Sequence, residues 1–486
     1  MSISNALSNA LSGLTASSRA ADIVASNVAN AMTDGYGRRE VELSADSLGM
    51  TSGGVQVIGI NRATDPIVTG ERRIADGLVS LENTRIDFLE TVSNALGGAD
   101  EETSITGLSI GLETALIEAA NNPESDAHLN NVYQTAQSLT DRINSAADAI
   151  SNARMAADQE IGRTVEALQS DLNRVVELNV KINERVAAGY DASALLDQRQ
   201  VTIDRISSVI PVKEINRQNG MVSLYTPGGA VLLESKAASI EFTPVPTITP
   251  DMNVGSGVLS GLTINGQPVS TDAGNGAIAG GKLAGLFEVR DELAPNAQEK
   301  LDAFVRDLMT RFEIPSVDPT LSLGDAGLFT DGGAAFDVAA EVGLANRLKL
   351  NAAVDPSQGG EICRFRDGIG AISEGNAGDA SILNNMIGAL QERVKTASGG
   401  FTSMPRSLFD LSSDLYSLNE SNRLAIDDEL AFAMAQQTSL KTIEAEQGVD
   451  TDREMQDLLL IEQTYAANAK VIATVDKLLD QLMSMT

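Results

Sequence analysis

The ends of this chain decide its fold, and the C-terminal end reads LLLIEQTYAANAKVIATVDKLLDQL over residues 458–482. Apolar side chains recur there every seven residues, and one seam position holds Leu458, Tyr465, Ile472 and Leu479. The other seam position holds Ile461, Val475 and Leu482, with the polar Asn468 among them. An isolated helix cannot bury a stripe of two residues in seven, so the pattern predicts a helix that pairs with another helix.

The N-terminal 34 residues carry the same pattern. Leu7, Leu14, Ala21 and Val28 are seven residues apart, and Leu11 and Ala25 fill the alternate position. Each end is therefore a partner for the other, within one chain or between neighbouring copies. The predicted polymerisation seam comprises Leu7, Leu11, Leu14, Ala21, Val28, Leu458, Ile461, Tyr465, Asn468, Ile472, Val475, Leu479 and Leu482. Asn468 is either a chance polar position or a residue that fixes register and partner number.

Composition narrows the class of function. The chain has 486 residues, of which 43% are hydrophobic, so it can form about three folded domains. Its formal net charge of -32 disfavours nucleic acid and anionic membrane surfaces as partners. Charges nearly balance at the two ends, so the acidity lies in the middle of the chain. The sequence contains no run of 18 apolar residues, so it predicts no membrane-spanning helix. The N-terminus lacks the pattern of a cleaved secretory signal.

The residues that usually carry chemistry are scarce. Aromatic residues make up 3% of the chain, and it has one histidine, His128, and one cysteine, Cys363. We interpret His128 as a surface or helix-start residue, and the acidic residues of 450–454 as solvated first-turn acids. The sequence predicts no enzyme activity, no cofactor and no metal site.

The remaining patterns give the organisation of the chain. Asn219-Gly220 and Asn265-Gly266 are hairpin turn signals between β-rich runs. The predicted helices cover residues 3–32, 77–97, 125–188, 293–312, 380–395, 410–445 and 452–484. The predicted strands include residues 53–61, 67–74 and 344–350.

This order of elements predicts a mainly α protein with a β-rich insertion, an α+β multidomain chain. Residues 1–34 and 455–486 are predicted to form paired, coiled-coil-like terminal helices. Residues 35–207 and 405–454 are predicted to form a long helical rod with a short β-hairpin, and residues 208–404 an outer β-rich domain. About 60 residues of helix would extend roughly 90 Å, so the middle domain is predicted to be rod-shaped.

Two terminal motifs resemble the shared signature of bacterial flagellar axial proteins, the class of rod, hook and hook-associated proteins. The N-terminal motif comprises residues 8–13 (SNALSG) and 25–38 (ASNVANAMTDGYGR). The C-terminal motif comprises residues 462–472 (EQTYAANAKVI), followed by Asp476 and Leu479. These motifs alone do not choose among members of the class.

Interior motifs resemble the hook-associated protein 1 family, whose members form the first hook–filament junction. They are residues 54–57 (GVQV), Arg62, Asp65, Arg72, Arg73, 178–179 (LN), 195–200 (LLDQRQ), 203–207 (IDRIS), 225–229 (YTPGG), 280–286 (GGKLAGL), Arg290 and Asp291. Residues 313–400 match this family poorly.

The resemblance implies a structural component of the flagellum, exported through the type III apparatus without a cleaved signal and located outside the cell. Members form an adaptor ring of identical subunits, with terminal helices lining the inner tube. The implied partners are hook protein, a second junction protein and an export chaperone at the C-terminal helix. The alternatives are a hook or distal-rod protein, or a flagellum-borne adhesin or enzyme with its site in residues 313–400.

Overall fold

The computed structural model describes residues 3–48, 51–98, 100–401 and 403–484. Helices dominate these ranges: α1 Ile3–Asn30, α2 Pro66–Leu96, α3 Ile105–Asn121, α4 Asp126–Ala187, α5 Ser193–Val209, α6 Lys282–Glu288, α7 Ala294–Phe312, α8 Leu344–Arg347, α9 Arg364–Asp367, α10 Ser381–Gln391, α11 Leu408–Glu446 and α12 Thr451–Ser484. The strands are β1 Arg38–Leu48, β2 Thr51–Ala63, β3 Lys213–Asn216, β4 Val222–Tyr225, β5 Val231–Leu233, β6 Ile240–Glu241, β7 Thr263–Ile264, β8 Gln267–Pro268, β9 Phe329–Asp331 and β10 Leu348–Leu350. The coarse prediction of a mainly α protein with small sheets is confirmed.

The central helix α4 follows the predicted range of 125–188 to within a residue at each end. Ser125 caps it, because its hydroxyl accepts a hydrogen bond from the His128 N–H. Its buried face runs from Leu129 to Ile182, and Leu139, Ile161 and Ile182 on that face are fully buried. Helices α2, α3, α5, α6 and α7 pack around α4, so one long helix organises the middle of the molecule.

Helix α11 returns along α2 in the antiparallel direction. Near its start, the Asn419 amide donates to the Leu89 carbonyl at 3.2 Å. Near its end, Glu444 accepts a hydrogen bond from the Thr69 hydroxyl at 2.8 Å. The predicted helices at 410–445 and 452–484 are both confirmed.

The prediction of a strand at residues 67–74 is wrong, because these residues form the first turns of α2. The Asp65 carboxylate accepts from the N–H groups of Ile67 and Val68, and Pro66 occupies the first helical turn. A capping side chain followed directly by proline favours the start of a helix, even where β-branched residues come next. The strand at 53–61 is confirmed within β2, and its antiparallel partner β1 was missed because RREVELSADSL is mostly polar.

The segment between α5 and α11 holds short strands in three small sheets. Both Asn-Gly turns are confirmed, with positive φ at Asn219 (55°) and Asn265 (53°). The predicted strand at 344–350 is only half right, because residues 344–347 form the short helix α8 before β10. Phe304, Phe312 and Phe329 of this segment share one hydrophobic core with α4.

An ion pair inside the protein fastens this segment to the central helix. The Arg290 side chain is fully buried and donates to Asp158 of α4 at 2.9 Å and to Asp291 at 2.8 Å. Its guanidinium also lies over the rings of Phe242 and Phe287. A buried guanidinium needs such partners, because an unpaired charge in the interior is strongly unfavourable. Arg290 and Asp291 belong to the interior motifs on which the resemblance rests.

Candidate assembly site

The two ends of the chain pair with each other as antiparallel helices. Asn468 of α12 faces Gly13 of α1, where a Cβ atom on the glycine would lie 2.7 Å from the Asn468 Nδ2 atom. Fourteen residues further along α1, the Asn27 amide donates to Glu454 at 3.0 Å, and Glu454 lies 14 residues before Asn468. Two heptads on one helix therefore match two heptads on the other, in opposite directions.

The side of α1 turned inward in a single chain combines small residues with Ile23 and Val24. Ala10, Ser17 and Val24 are buried at intervals of seven residues, on the face that includes Gly13 and Asn27. Of the predicted seam, Leu14 and Ala21 are half-buried, whereas Leu7, Leu11 and Val28 are exposed. These apolar side chains lie beside the intramolecular contact and remain available to other surfaces.

On α12 the predicted seam is divided between covered and uncovered positions. Val475 is buried. Leu458, Ile461, Asn468 and Ile472 are half-buried. Tyr465, Leu479 and Leu482 are exposed. The single chain thus covers only part of the seam that the heptads indicate.

The β1–β2 hairpin packs against α1 through a glycine. The Ser12 hydroxyl of α1 accepts a hydrogen bond from the Val55 N–H at 3.1 Å. A Cβ atom on Gly54 would overlap that hydroxyl oxygen, so a larger residue would displace the Ser12 side chain and break this hydrogen bond. This contact gives a physical reason for the Gly54-Val55 motif.

Where the helix pair meets the rest of the molecule, a buried carboxylate joins both ends of the chain. Glu454 is 0% exposed and accepts from the Asn27 amide and from Arg38 Nε at 2.6 Å. The Asn27 amide also donates to the Arg39 carbonyl, and its oxygen accepts from the Tyr36 hydroxyl at 2.9 Å. We call Asn27, Tyr36, Arg38 and Glu454 the neck cluster. The interpretation of the 450–454 acids as solvated is wrong for Glu454, because this residue is fully buried. Its partners lie more than 400 residues away in the sequence.

A second carboxylate, Asp197 of α5, ties the neck cluster to the central helices. It accepts from the Gly37 N–H, from Arg39 Nη2 at 2.8 Å and from Arg62 Nε at 2.7 Å. A Cβ atom on Gly37 would lie 2.3 Å from the Arg62 side chain, which explains the glycine. The 195–200 motif, Arg62 and the N-terminal motif therefore converge at one place.

The next layer is a set of ion pairs between α2, α5 and α11. Arg72 contacts Asp76 at 2.5 Å, Asp204 at 2.9 Å and Glu444 at 2.6 Å. Nearby acids raise the pKa of Arg72 against the opposing effect of burial. Arg73 contacts Asp204 as well, at 2.7 Å. This layer holds the start of α2 to the end of α11.

Groups suited to catalysis do not converge in this way. His128 lies in the first turn of α4, as predicted, and Cys363 is half-buried, where burial raises the pKa of its thiol. Among the residues described, no three His, Cys, Asp or Glu side chains are grouped so as to hold a metal ion. Within the same ranges, no helix is both long and apolar enough to cross a bilayer.

Three family models match separate parts of the chain. The model of the "flagella basal body rod protein" family matches residues 7–36, and the "flagellar basal body rod FlgEFG protein C-terminal" model matches residues 445–485. These two matches cover the helix pair and define the class, a bacterial flagellar axial protein. The "flagellar hook-associated protein FlgK helical domain" model matches residues 89–314. By that match and by the relatives described next, the chain is similar to the flagellar hook-associated protein 1 family.

The relatives carry that family name. Flagellar hook-associated protein 1 of Bacillus subtilis is 25% identical over 98% of this chain and 97% of its own length. The protein of the same name from Salmonella typhimurium is 25% identical over 49% of this chain and 44% of its own length. A solved structure of the flagellar hook junction protein FlgK from Burkholderia pseudomallei matches with 20% identity and a TM-score of 0.44. It covers 55% of this chain and 47% of that protein. The assignment rests on the sequence matches.

Proposed function

We propose that this chain is the structural adaptor that joins hook to filament in a bacterial flagellum. The observation that carries this proposal is the pairing of both chain ends through motif residues, together with a match to hook-associated protein 1 over nearly the whole chain. Its role is assembly: it offers a starting surface for the filament, as a ring of identical subunits.

The exposed seam residues support the polymerisation role of the ends. Leu7, Leu11, Tyr465 and Leu479 are uncovered in one chain, and neighbouring helices would bury them. In this arrangement residues 1–34 and 455–486 line the inner tube. Residues 35–207 and 405–454 form the surrounding shell, and residues 208–404 face outward.

The partners follow from the position in the flagellum. Hook protein lies below the ring and a second junction protein above it. An export chaperone binds the C-terminal helix before export through the type III apparatus, and the assembled protein lies outside the cell. The exposed apolar side chains of α12 support this order, since they need cover before assembly as well as after it.

The test is the position of a labelled copy on purified flagella. Label in a narrow band between hook and filament is the expected result. Label along the hook or in the rod would indicate a hook or distal-rod protein instead. Label along the outer surface of the filament would favour a flagellum-borne adhesin or enzyme.

A further inference from the structure

Helix α11 has a second face with apolar side chains that are exposed among the residues described. From Arg423 to Glu446 its buried residues are Ala433 and Leu440, on the side that contacts α2. By helical spacing Leu424 lies opposite that side, and Phe432 and Ile443 lie on the flank next to it, where Phe432 is 74% exposed. Asp428 lies between Leu424 and this flank and is exposed as well. We call Leu424, Asp428, Phe432 and Ile443 the donor stripe.

A groove with a complementary character lies elsewhere on the molecule. Strand β2, the first turns of α2, the α4–α5 connection and β3 form its walls. Large apolar side chains stand exposed along it, with Ile67 at 70% and Tyr190 at 69%, together with Ile58 and Ile215. We call this feature the acceptor groove. Contiguous exposed apolar side chains of this kind mark interaction surfaces.

Charge distinguishes the acceptor groove from the rest of the surface. Five basic and three acidic side chains line the acceptor groove, in a chain with a net charge of -32. Three of the bases have partners within the chain. Arg62 pairs with Asp197, Arg73 pairs with Glu214, and Arg199 donates a hydrogen bond to the Asn179 side-chain oxygen. Arg19 and Lys213 are exposed and make no ion pair with the residues described, and the same holds for Glu71 and Asp191, so the groove is close to neutral on an otherwise acidic chain. An apolar stripe that carries Asp428 suits this groove better than the rest of the acidic surface does.

The two surfaces lie on opposite sides of the same helix. Thr69, Arg72 and Asp76 of α2 face α11 through their hydrogen bonds and ion pairs. Ile67 and Ile74 line the acceptor groove, about half a turn away around α2. One chain therefore cannot place its own donor stripe in its own groove.

We propose that the donor stripe of one subunit docks in the acceptor groove of the next copy of this chain. Two different complementary surfaces on one subunit give a head-to-tail contact, which generates a ring or a helical tube rather than a closed dimer. The proposal rests on the proposed function, because it assumes that copies assemble side by side. It adds a lateral contact between the central helices to the contacts of the terminal helices.

Cysteine cross-linking on assembled flagella tests this contact. The native thiol is removed by Cys363→Ser, and Phe432→Cys is combined with Ile67→Cys or with Tyr190→Cys. Mild oxidation or a short bismaleimide should give a ladder of linked chains, because every subunit offers both surfaces. Phe432→Cys alone and the pair Ile372→Cys with Tyr190→Cys are the controls, since Ile372 is fully exposed but outside both surfaces.

The outcomes separate this inference from the proposed function. A ladder from either Phe432 pair, with none from the controls, supports the docking. No ladder from either pair, while immunolabelling still finds the protein between hook and filament, overturns it. A simple dimer from Phe432→Cys alone also overturns it, because like surfaces would then be in contact. Absence of the protein from the junction would count against the proposed function instead.

Discussion

The Glu454 carboxylate joins residues from both ends of the chain at the base of the helix pair. It accepts hydrogen bonds from Asn27 and Arg38, which lie in the N-terminal motif. From sequence it is one of several acids at a helix start, where solvation and the helix dipole usually account for such residues. Its burial depends on chain segments more than 400 residues away, which no local pattern reports.

We expect Glu454→Gln to loosen the base of the helix pair. The amide keeps the size of the side chain but removes the negative partner of Arg38, at a cost of about 2 kcal/mol in local stability. Hydrogen exchange of residues 24–40 and 451–460 should become faster in the variant. Asp457→Asn is the control, because its contact with Arg38 is long, at 3.5 Å, and its side chain is 45% exposed, so exchange should hardly change. Equal effects of the two variants would contradict the role of Glu454.

Asn468→Leu tests the polar position in the seam. We expect it to strengthen association of peptides 3–30 and 451–484 by roughly 1–2 kcal/mol, since an amide facing Gly13 is replaced by an apolar side chain. Sedimentation measures the association. Motility of a strain carrying the variant should fall, because other registers become available. Unchanged association would place Asn468 outside the seam, whereas stronger association with normal motility would reject its role in register.

Asp302 should make stability depend on pH. Burial raises the pKa of Asp302 to about 6, although the N–H groups of Gly343 and Ala345 donate to its carboxylate. The folded state therefore holds this proton more tightly than the unfolded state, and the group's contribution to stability falls as pH rises from about 4 to 6. When the pH is raised from 4 to 7, the unfolding free energy of Asp302→Asn should therefore increase by about 1–2 kcal/mol relative to that of the native protein.

Urea unfolding at the two pH values measures that difference. Asp428→Asn is the matched control, because Asp428 is exposed and its substitution should leave the pH dependence unchanged. A pH-independent difference between the native protein and Asp302→Asn would contradict the argument.

At the scale of elements, burial differs sharply between the helices. Along α4, residues from Leu129 to Ile182 are buried on one continuous face, so this helix is held by tertiary packing. On α12, only Glu454 and Val475 are buried among the residues described. Helices in water depend on such packing, because their intrinsic stability is marginal. In helix α2, the cap at Asp65 stabilises a helical start although β-branched residues follow it.

We expect the terminal helices of the dilute monomer to exchange their amide protons much faster than α4. Their contact is narrow and their outer faces are uncovered, so they should open locally without global unfolding. Assembly into the ring should protect residues 3–30 and 451–484. Strong protection of both segments in the monomer would refute this expectation.

At the scale of the whole molecule, assembly and folding depend on different parts of the chain. One hydrophobic core runs from α2 and α3 through α4 to α10 and α11, without residues of α1 or α12. The ends are joined to it by the neck cluster and by Asp197. Losing the outer part of α12 should therefore affect association rather than the core.

Deletion of residues 460–486 should abolish filament attachment and leave the core folded. Glu454 stays in the truncated chain, so the neck cluster is kept. Urea unfolding should give a core transition close to that of the full-length protein, and filament subunits should leak into the medium of the strain. Restored motility with the truncated protein in a null strain would contradict the role of the C-terminal helix.

The sequence by itself determined the periodic and local features of this protein. The heptads predicted the terminal helices and α4 to within about two residues, and the Asn-Gly pairs predicted two hairpin turns, because both signals are local. The motifs predicted the family, which the comparisons confirm. The role of the seam and the three domain boundaries stay predictions.

Only the tertiary structure decided which faces of the helices are covered. It turned the face of α1 that carries Ala10, Gly13 and Ser17 toward α12 and left Leu7 and Leu11 outside. It also buried Glu454 and placed Asp197 beside arginines from distant segments. A heptad fixes which residues share a stripe, but several stripes on α1 are apolar enough to pack. The choice among them depends on how closely two backbones can approach, and Gly13 and Gly54 set that distance only once α12 and β2 are in place.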